Sequence, residues 1–80
     1  MSILSEKIDG KIINVTIQSS NIKFASYNTE IKVLTITFNN GTQYEYYDVP
    51  WDIFTKLRSS ESQGKYFTTN IRNTYKFKKV

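Results

Sequence analysis

The alternating pattern on either side of Asn39-Asn40-Gly41 constrains the fold of this chain more than any other feature. Within residues 31–38 and 42–47, apolar or aromatic side chains stand at every second position from Leu34 to Phe38 and at Tyr44 and Tyr46. Asn-Gly between two such runs is typical of a β-hairpin. A two-residue turn and a three-residue loop both fit the spacing, and they align the strands differently. The sequence therefore predicts a hairpin over residues 31–47, whose loop length determines which side chains share a face.

Burial distinguishes the two loops. The two-residue turn pairs Ile36 with Glu45 and Phe38 with Gln43, which mixes apolar and polar side chains on one face. The three-residue loop, with Gly41 in the left-handed conformation, pairs Phe38 with Thr42, Ile36 with Tyr44 and Leu34 with Tyr46. Since a slip of one residue moves every side chain to the opposite face, we predict the three-residue loop.

Two shorter extended segments precede the hairpin. Residues 12–17 alternate between β-branched apolar and polar side chains, which predicts a strand. Residues 22–27 resume an extended pattern, with Ile22 and Phe24 assigned to one face. On that assignment Tyr27 lies on the opposite face, where we expect it to be exposed.

Pro50 marks the change from strands to helices. A proline suits the first helical position because its missing N–H would have no partner there. We predict helices over about residues 50–60 and 64–73, and the alternation of residues 75–78 fits a short last strand. The first helix carries an apolar stripe at Ile53, Phe54 and Leu57. Trp51 falls at the margin of this stripe, either at the edge of the core or as a partner contact.

Together these elements predict an α+β fold, with a small antiparallel sheet of about four strands packed by one or two C-terminal helices. Eighty residues allow one domain, residues 1–80. Residues 1–10 have weak periodicity, which fits either a short helix or a frayed tail. No apolar stretch is long enough to span a membrane, and no signal peptide is recognisable, so we expect a cytoplasmic protein without a membrane partner.

Composition restricts the chemistry of the chain. It contains no Cys and no His, which excludes disulfides, thiolate nucleophiles and imidazole ligands. Its seven carboxylates form no close cluster, and no hydroxyl has a recognisable base partner. We therefore predict no catalytic residues, no metal, no cofactor and no enzymatic activity. The net charge of +4 favours an anionic ligand such as nucleic acid or a nucleotide.

From residue 19 onward the sequence resembles the KTSC domain, a module named after the C-terminus of some lysyl-tRNA synthetases. The resemblance rests on Ser19-Ser20-Asn21-Ile22, Tyr27-Asn28, Leu34-Thr35-Ile36-Thr37-Phe38, Gly41, Tyr44-Glu45-Tyr46, Val49-Pro50, Ser62-Gln63-Gly64-Lys65-Tyr66-Phe67, Ile71-Arg72 and Tyr75. It implies a compact α+β fold and a non-enzymatic role, with nucleic-acid binding as the expected activity.

The resemblance divides the chain into a KTSC-like core, residues 19–78, and an N-terminal extension or first strand, residues 1–18. The chain departs from the family pattern at four positions: Ser26 replaces Gly, Asn28 replaces Asp, Ser60 replaces Ala and Thr68 replaces Asn. A ligand that contacts the family's Asn or Asp side chains would therefore meet different groups here.

The first candidate site is the segment around Gly64. We interpret Gly64 as a sharp turn before a helix whose N-terminal N–H groups attract an anion, with Lys65 adding charge and Tyr66 lying beside it. The alternative is that Gly64 joins two helices and Tyr66 packs on the sheet. Asn70, Arg72 and Tyr75 extend this candidate site.

Each remaining candidate has a functional and a structural interpretation. Arg72 can grip a phosphate with two parallel hydrogen bonds, or it can pair with Glu45 or Asp48. Ser19, Ser20 and Asn21 can face a ligand or cap a turn. An exposed Tyr27 can stack on a base, or it can pack against a neighbouring strand. Lys76, Lys78 and Lys79 form either a solvated tail or part of a phosphate-facing patch.

Two functional hypotheses follow from the sequence. The first is a non-enzymatic binding module for a phosphate-bearing ligand, namely RNA, single-stranded DNA or a nucleotide. The second is a small phage-type interaction protein that sequesters a nucleotide-like signalling molecule or inhibits a host protein. The second hypothesis includes a protein partner or a homo-oligomer.

Overall fold

Six strands and two helices make up the computed structural model, which describes residues 2–80 and the side chains from residue 5 onward. The elements are β1 (Ser2–Asp9), β2 (Ile12–Gln18), β3 (Ile22–Asn28), β4 (Val33–Phe38), β5 (Gln43–Tyr46), α1 (Trp51–Ser59), α2 (Gln63–Asn70) and β6 (Phe77–Lys79). The strands form one antiparallel sheet in the order β1-β2-β3-β4-β5-β6. The α+β class is confirmed, but the sheet has six strands and not about four.

The strand that the sequence did not indicate is β1. Residues 2–9 form neither a helix nor a frayed tail. β1 pairs with β2 along its length, from Ser2 opposite Gln18 to Asp9 opposite Ile12. Gly10 has a φ of 62° in the tight connection between the two strands, a conformation that glycine adopts readily. Residues 2–18 therefore belong to the same sheet as the rest of the chain.

The hairpin formed by β4 and β5 has the predicted register. Leu34 lies opposite Tyr46 and Ile36 opposite Tyr44. The Phe38 N–H donates to the Thr42 carbonyl at 2.9 Å, and Gly41 has a φ of 88°. The three-residue loop is confirmed, and it places Phe38, Tyr44 and Tyr46 on one face.

A β-bulge in β3 reverses the predicted faces of that strand. Ile22 lies opposite Phe38, but Phe24 lies opposite Thr37, so Lys23 is an extra residue in the ladder. After the bulge, Ala25 and Tyr27 point inward with Ile22, whereas Phe24 is 40% exposed. The predicted exposure of Tyr27 is wrong, and this side chain is not available at the surface.

The two helices begin and end close to the predicted positions. Pro50 is the N-cap of α1, with a ψ of 153°, and not the first helical residue. The second helix begins one residue early, at Gln63, because Ser62 caps it, and it ends at Asn70. The chain then turns through residues 71–74 and enters β6, which confirms the short last strand near residues 75–78.

One face of the sheet packs against the helices and carries the core. The buried apolar residues are Ile13, Val15, Ile17, Ile22, Ala25, Tyr27, Leu34, Ile36, Tyr46, Val49, Phe54, Leu57, Phe67 and Ile71. Tyr27 stacks on Phe54 with ring centroids 4.6 Å apart, and its hydroxyl donates to the Val49 carbonyl at 2.6 Å. Tyr27 thereby connects the sheet to the loop before α1.

We expect Tyr27→Phe to lower the free energy of unfolding by about 1–3 kcal/mol, because it leaves the buried Val49 carbonyl without its donor. Urea denaturation measures the change. The matched control is Tyr47→Phe, which removes a hydroxyl that donates to the Glu45 carboxylate in a less buried setting, and we expect it to cost less. Equal effects of the two substitutions would contradict the structural role of the Tyr27 hydroxyl.

Candidate functional site

A groove lies between α2 and the last three strands of the sheet. Its volume is about 490 Å³. The residues that line it are Asn21, Phe38, Asn40, Thr42, Tyr44, Tyr46, Phe67, Thr68, Arg72, Asn73, Phe77 and Lys79. We call it the aromatic groove, because five of these twelve side chains are aromatic.

The rings of the aromatic groove contact one another in a continuous series. The ring centroid of Phe67 in α2 lies 5.6 Å from that of Phe38 and 5.3 Å from that of Tyr46, and both contacts are edge to face. The ring centroid of Phe77 in β6 lies 5.7 Å from that of Tyr44 and 5.6 Å from that of Tyr46. Phe67 and Tyr46 are buried, Phe38 and Tyr44 are half-buried, and Phe77 is 56% exposed. The accessible aromatic surface therefore lies on the sheet side of the groove, toward β6.

The charges that line the aromatic groove are all positive. Arg72 and Lys79 are its two charged residues, and no carboxylate lines it. The ion pairs formed by side chains of residues 5–80 join Lys11 to Glu30 and Arg58 to Glu6, so Arg72 does not pair with Glu45 or Asp48. Its guanidinium is free to meet an anion.

The phenol of Tyr46 remains protonated beside these cations. Burial raises the pKa of Tyr46 above its usual value, and the neighbouring Tyr44 adds to the increase. Arg72 acts in the opposite direction, which indicates that its charge lies close to Tyr46. The groove therefore combines a neutral Tyr46 hydroxyl with two cations near neutral pH.

Gly64 anchors α2 to the turn between β2 and β3. It is buried inside the first turn of the helix, and a Cβ at this position would overlap Asn21 Oδ1 and lie 3.0 Å from Ser19 Oγ. Ser19 Oγ in turn donates to Asn21 Oδ1 at 2.9 Å. The need for glycine is therefore steric, and the prediction that Gly64 forms a sharp turn before the helix is wrong.

The start of α2 is capped by its own chain. Ser62 Oγ accepts from the Lys65 N–H at 3.3 Å, so this N–H has a partner within the protein. Lys65, Tyr66 and Asn70 line a shallower depression of about 360 Å³ with Ser62 and its neighbours. An anion at the helix N-terminus would compete with the serine cap, which argues against the predicted anion site there.

The predicted site residues fall in separate places. Asn21 and Arg72 line the aromatic groove. Ser19 and Gly64 lie against the Asn21 side chain. Ser20 is exposed beside them. The depression at the start of α2 holds Lys65, Tyr66 and Asn70. Tyr27 is buried, and Tyr75 is half-buried against the core.

Ser19 fulfils the structural alternative. Ser19 Oγ accepts from the backbone N–H groups of Asn21 and Ile22 at 3.3 and 3.5 Å, and so caps the turn. Trp51 lies at the edge of the core, as one of its two interpretations states. Its ring is 6.1 Å from both Tyr27 and Phe54, and it is 48% exposed.

Sequence reasoning missed the groove residues on the sheet. Phe38, Tyr44 and Tyr46 were correctly placed on one face, but nothing indicated that α2 leaves part of that face uncovered. The available signal was the alternation of Tyr75 and Phe77 with Lys76 and Lys78. An aromatic residue in an edge strand rich in lysine is a candidate for a surface ring beside positive charge.

The described part of the chain holds no other obvious centre. Among residues 5–80, no three carboxylates lie close enough together to hold a metal ion. Within residues 2–80, neither helix has the length and apolar character needed to cross a membrane. The aromatic groove is therefore the feature on which we base the functional proposal.

Comparisons with known proteins point to one family. A sequence model of the KTSC domain matches residues 18–75. The chain is 35% identical over 63 residues to a lysine–tRNA ligase from Nostoc punctiforme. This match covers 79% of the chain and 11% of the ligase. The chain is 30% identical over 60 residues to a protein from Tsukamurella paurometabola, covering 75% of this chain and 90% of that protein.

A solved structure has the same fold. The crystal structure of a KTSC domain protein from Yersinia pestis superposes with a TM-score of 0.82 at 25% sequence identity. The match covers 86% of this chain and 97% of that chain. Most of the fold described above is thus shared with an experimentally determined protein.

We expect Gly64→Ala to lower the free energy of unfolding by about 1–3 kcal/mol, because the added methyl group overlaps Asn21. The cost should fall by at least about 0.5 kcal/mol in an Asn21→Ala background, where the overlapping atom is absent. Urea denaturation of the four proteins of this double-mutant cycle gives the coupling energy. Strictly additive effects would contradict the steric role of Gly64.

Proposed function

The chain belongs to the KTSC domain family, and we propose that it is a non-enzymatic module that binds single-stranded nucleic acid, RNA or DNA, in the aromatic groove. The observation that carries the proposal is the combination of accessible rings, two cations and no carboxylate in one concave surface. Bases stack on aromatic side chains, and phosphates bind Arg and Lys.

The accessible rings of the groove favour a single strand. Bases in a duplex are stacked on one another and present only their edges, whereas an unpaired base can lie flat against a ring. Phe77 and Tyr44 offer such a surface, and Arg72 and Lys79 lie on the lining of the same groove. In this arrangement a base stacks near β6 while its phosphates meet the two cations.

The relatives support RNA among the single-stranded ligands. The name of the Nostoc punctiforme ligase states that it joins lysine to a tRNA, and the matched segment is 11% of that protein. A module attached to such an enzyme can serve it by holding RNA. We therefore propose a cytoplasmic protein that carries out no catalytic step of its own.

A nucleotide is the second candidate ligand, and the size of the groove favours it. The volume of about 490 Å³ lies within the range of roughly 300–1,000 Å³ that is usual for small-molecule sites. This version corresponds to a protein that sequesters a nucleotide-like signal, with the same rings and cations as contacts. Titration with mononucleotides and with octanucleotides separates the two ligands, because only a strand that continues beyond the groove gains affinity with length.

We expect Arg72→Ala to weaken the binding of a fluorescent oligouridine about tenfold, because charge-assisted hydrogen bonds to phosphate contribute roughly 1.5 kcal/mol. The slope of log K against log salt should become shallower by about 0.7, the value for one phosphate of a single strand. Lys56→Ala is the charge-matched control, since Lys56 is exposed on α1 and does not line the groove. Lys65→Ala tests the depression at the start of α2. A larger loss for Lys65→Ala than for Arg72→Ala would move the site there.

We expect Phe77→Ala to weaken oligouridine binding by about 1–3 kcal/mol, the usual contribution of one stacked base. The matched control is Phe24→Ala, since Phe24 is also an exposed phenylalanine but lies on the other face of the sheet. Fluorescence anisotropy at constant salt measures both variants. Equal affinities of the two variants would contradict stacking in the groove.

A further inference from the structure

Two asparagines on the lining of the aromatic groove have amide groups whose orientation is fixed by hydrogen bonds. An asparagine amide carries an acceptor oxygen and a donor nitrogen, and its neighbours determine which is which. Asn21 lies near the start of α2 and Asn40 lies in the hairpin loop. In both amides, the oxygen accepts a hydrogen bond from a neighbouring group.

The orientation of Asn21 follows from the bonds of Ser19. Ser19 Oγ already accepts from two backbone N–H groups, those of Asn21 and Ile22. Its own hydrogen must therefore donate, and the atom that receives it, 2.9 Å away, must be the Asn21 oxygen. The buried Gly64 packs against the same oxygen and holds it in place. The amide nitrogen of Asn21 is left with two hydrogens to donate.

The orientation of Asn40 follows from the hairpin loop. The Thr42 N–H, which can only donate, lies 3.0 Å from the Asn40 oxygen. The nitrogen of this amide is again the atom left over. Together with Arg72 and Lys79, which have donors and no acceptors, Asn21 and Asn40 are four of the five side chains in the groove that carry N–H groups, the fifth being Asn73.

We infer that the aromatic groove selects bases with a carbonyl oxygen at C4 of a pyrimidine or C6 of a purine, namely uracil, thymine and guanine. It disfavours cytosine and adenine, which carry an amino group at that position. The inference rests on the proposed binding of single-stranded nucleic acid. The exocyclic oxygen of uracil accepts a hydrogen bond, whereas the amino group of cytosine donates one. When an amino group faces the Asn21 or Asn40 nitrogen, two donors oppose each other. The amino group and the amide then both give up their hydrogen bonds to water without gaining a new one.

Uracil and cytosine provide the sharpest test, because they have the same ring size and differ at this exocyclic group. We expect octauridine to bind about tenfold more tightly than octacytidine to the full chain. Asn21→Asp keeps the oxygen that Ser19 and Gly64 contact and replaces the donor nitrogen with an acceptor. This variant should reduce the ratio of the two affinities to about one or reverse it. Asn40→Asp makes the same exchange in the exposed hairpin loop, so it provides a second variant that does not touch the Gly64 contact.

The control for the added negative charge is Asn14→Asp, because Asn14 is exposed on the far face of the sheet. It should lower both affinities slightly and leave their ratio unchanged. Equal binding of octauridine and octacytidine, with both weakened by Arg72→Ala, would overturn the selectivity while the proposed function stands. A uridine preference that survives both Asn21→Asp and Asn40→Asp would overturn the role of these amides. No binding of either octamer would overturn the proposed function itself.

Discussion

The contact between Gly64 and Asn21 determines where α2 lies on the sheet, and the aromatic groove depends on that position. With no Cβ on Gly64, the first turn of α2 sits directly on the turn between β2 and β3. From this point the helix runs toward the last strands, where Phe67 lies between Phe38 and Tyr46. A side chain at position 64 would lift the start of the helix and change the groove along its length.

The groove exists because the helices leave part of the inner face of the sheet uncovered. Phe67 of α2 packs against Phe38 and Tyr46. At the β6 end, the rings of Tyr44 and Phe77 line the groove, and Phe77 is exposed.

The opposite edge of the sheet is closed by a different device. Glu6 of β1 faces the helices and accepts from Arg58 Nη1 at 2.9 Å. The Arg58 guanidinium also lies 5.1 Å from the Trp51 ring and 5.0 Å from the Phe54 ring. An inward charge and the bulge between Ile3 and Ser5 both hinder the addition of another strand to β1. One edge is thus protected, whereas the other borders an open surface with unpaired cations.

The sequence predicted the features that depend on local spacing and missed those that depend on distant partners. The loop at Gly41 and the hairpin pairs follow from alternation within residues 31–47, and the structure has them. Strand β1 was missed because its identity comes from pairing with β2 and not from its own weak periodicity. The extra residue Lys23 reversed the faces of Phe24 and Tyr27, and no local signal distinguishes a bulge from a regular strand there.

The same limit applies to the site. Arg72 and Asn21 were recognised as candidates from their chemistry, but a residue's face in a strand does not indicate whether a helix covers it.

Under the proposed function, the three kinds of contact in the groove have different physical consequences. Arg72 and Lys79 attract any phosphate and lose strength with salt. The rings stack on any base, whatever the salt. Selectivity therefore depends on groups whose donors or acceptors are fixed in direction. Asn21 meets that condition because Ser19 and Gly64 hold its oxygen, so the contact that positions α2 also orients an amide on the lining of the groove.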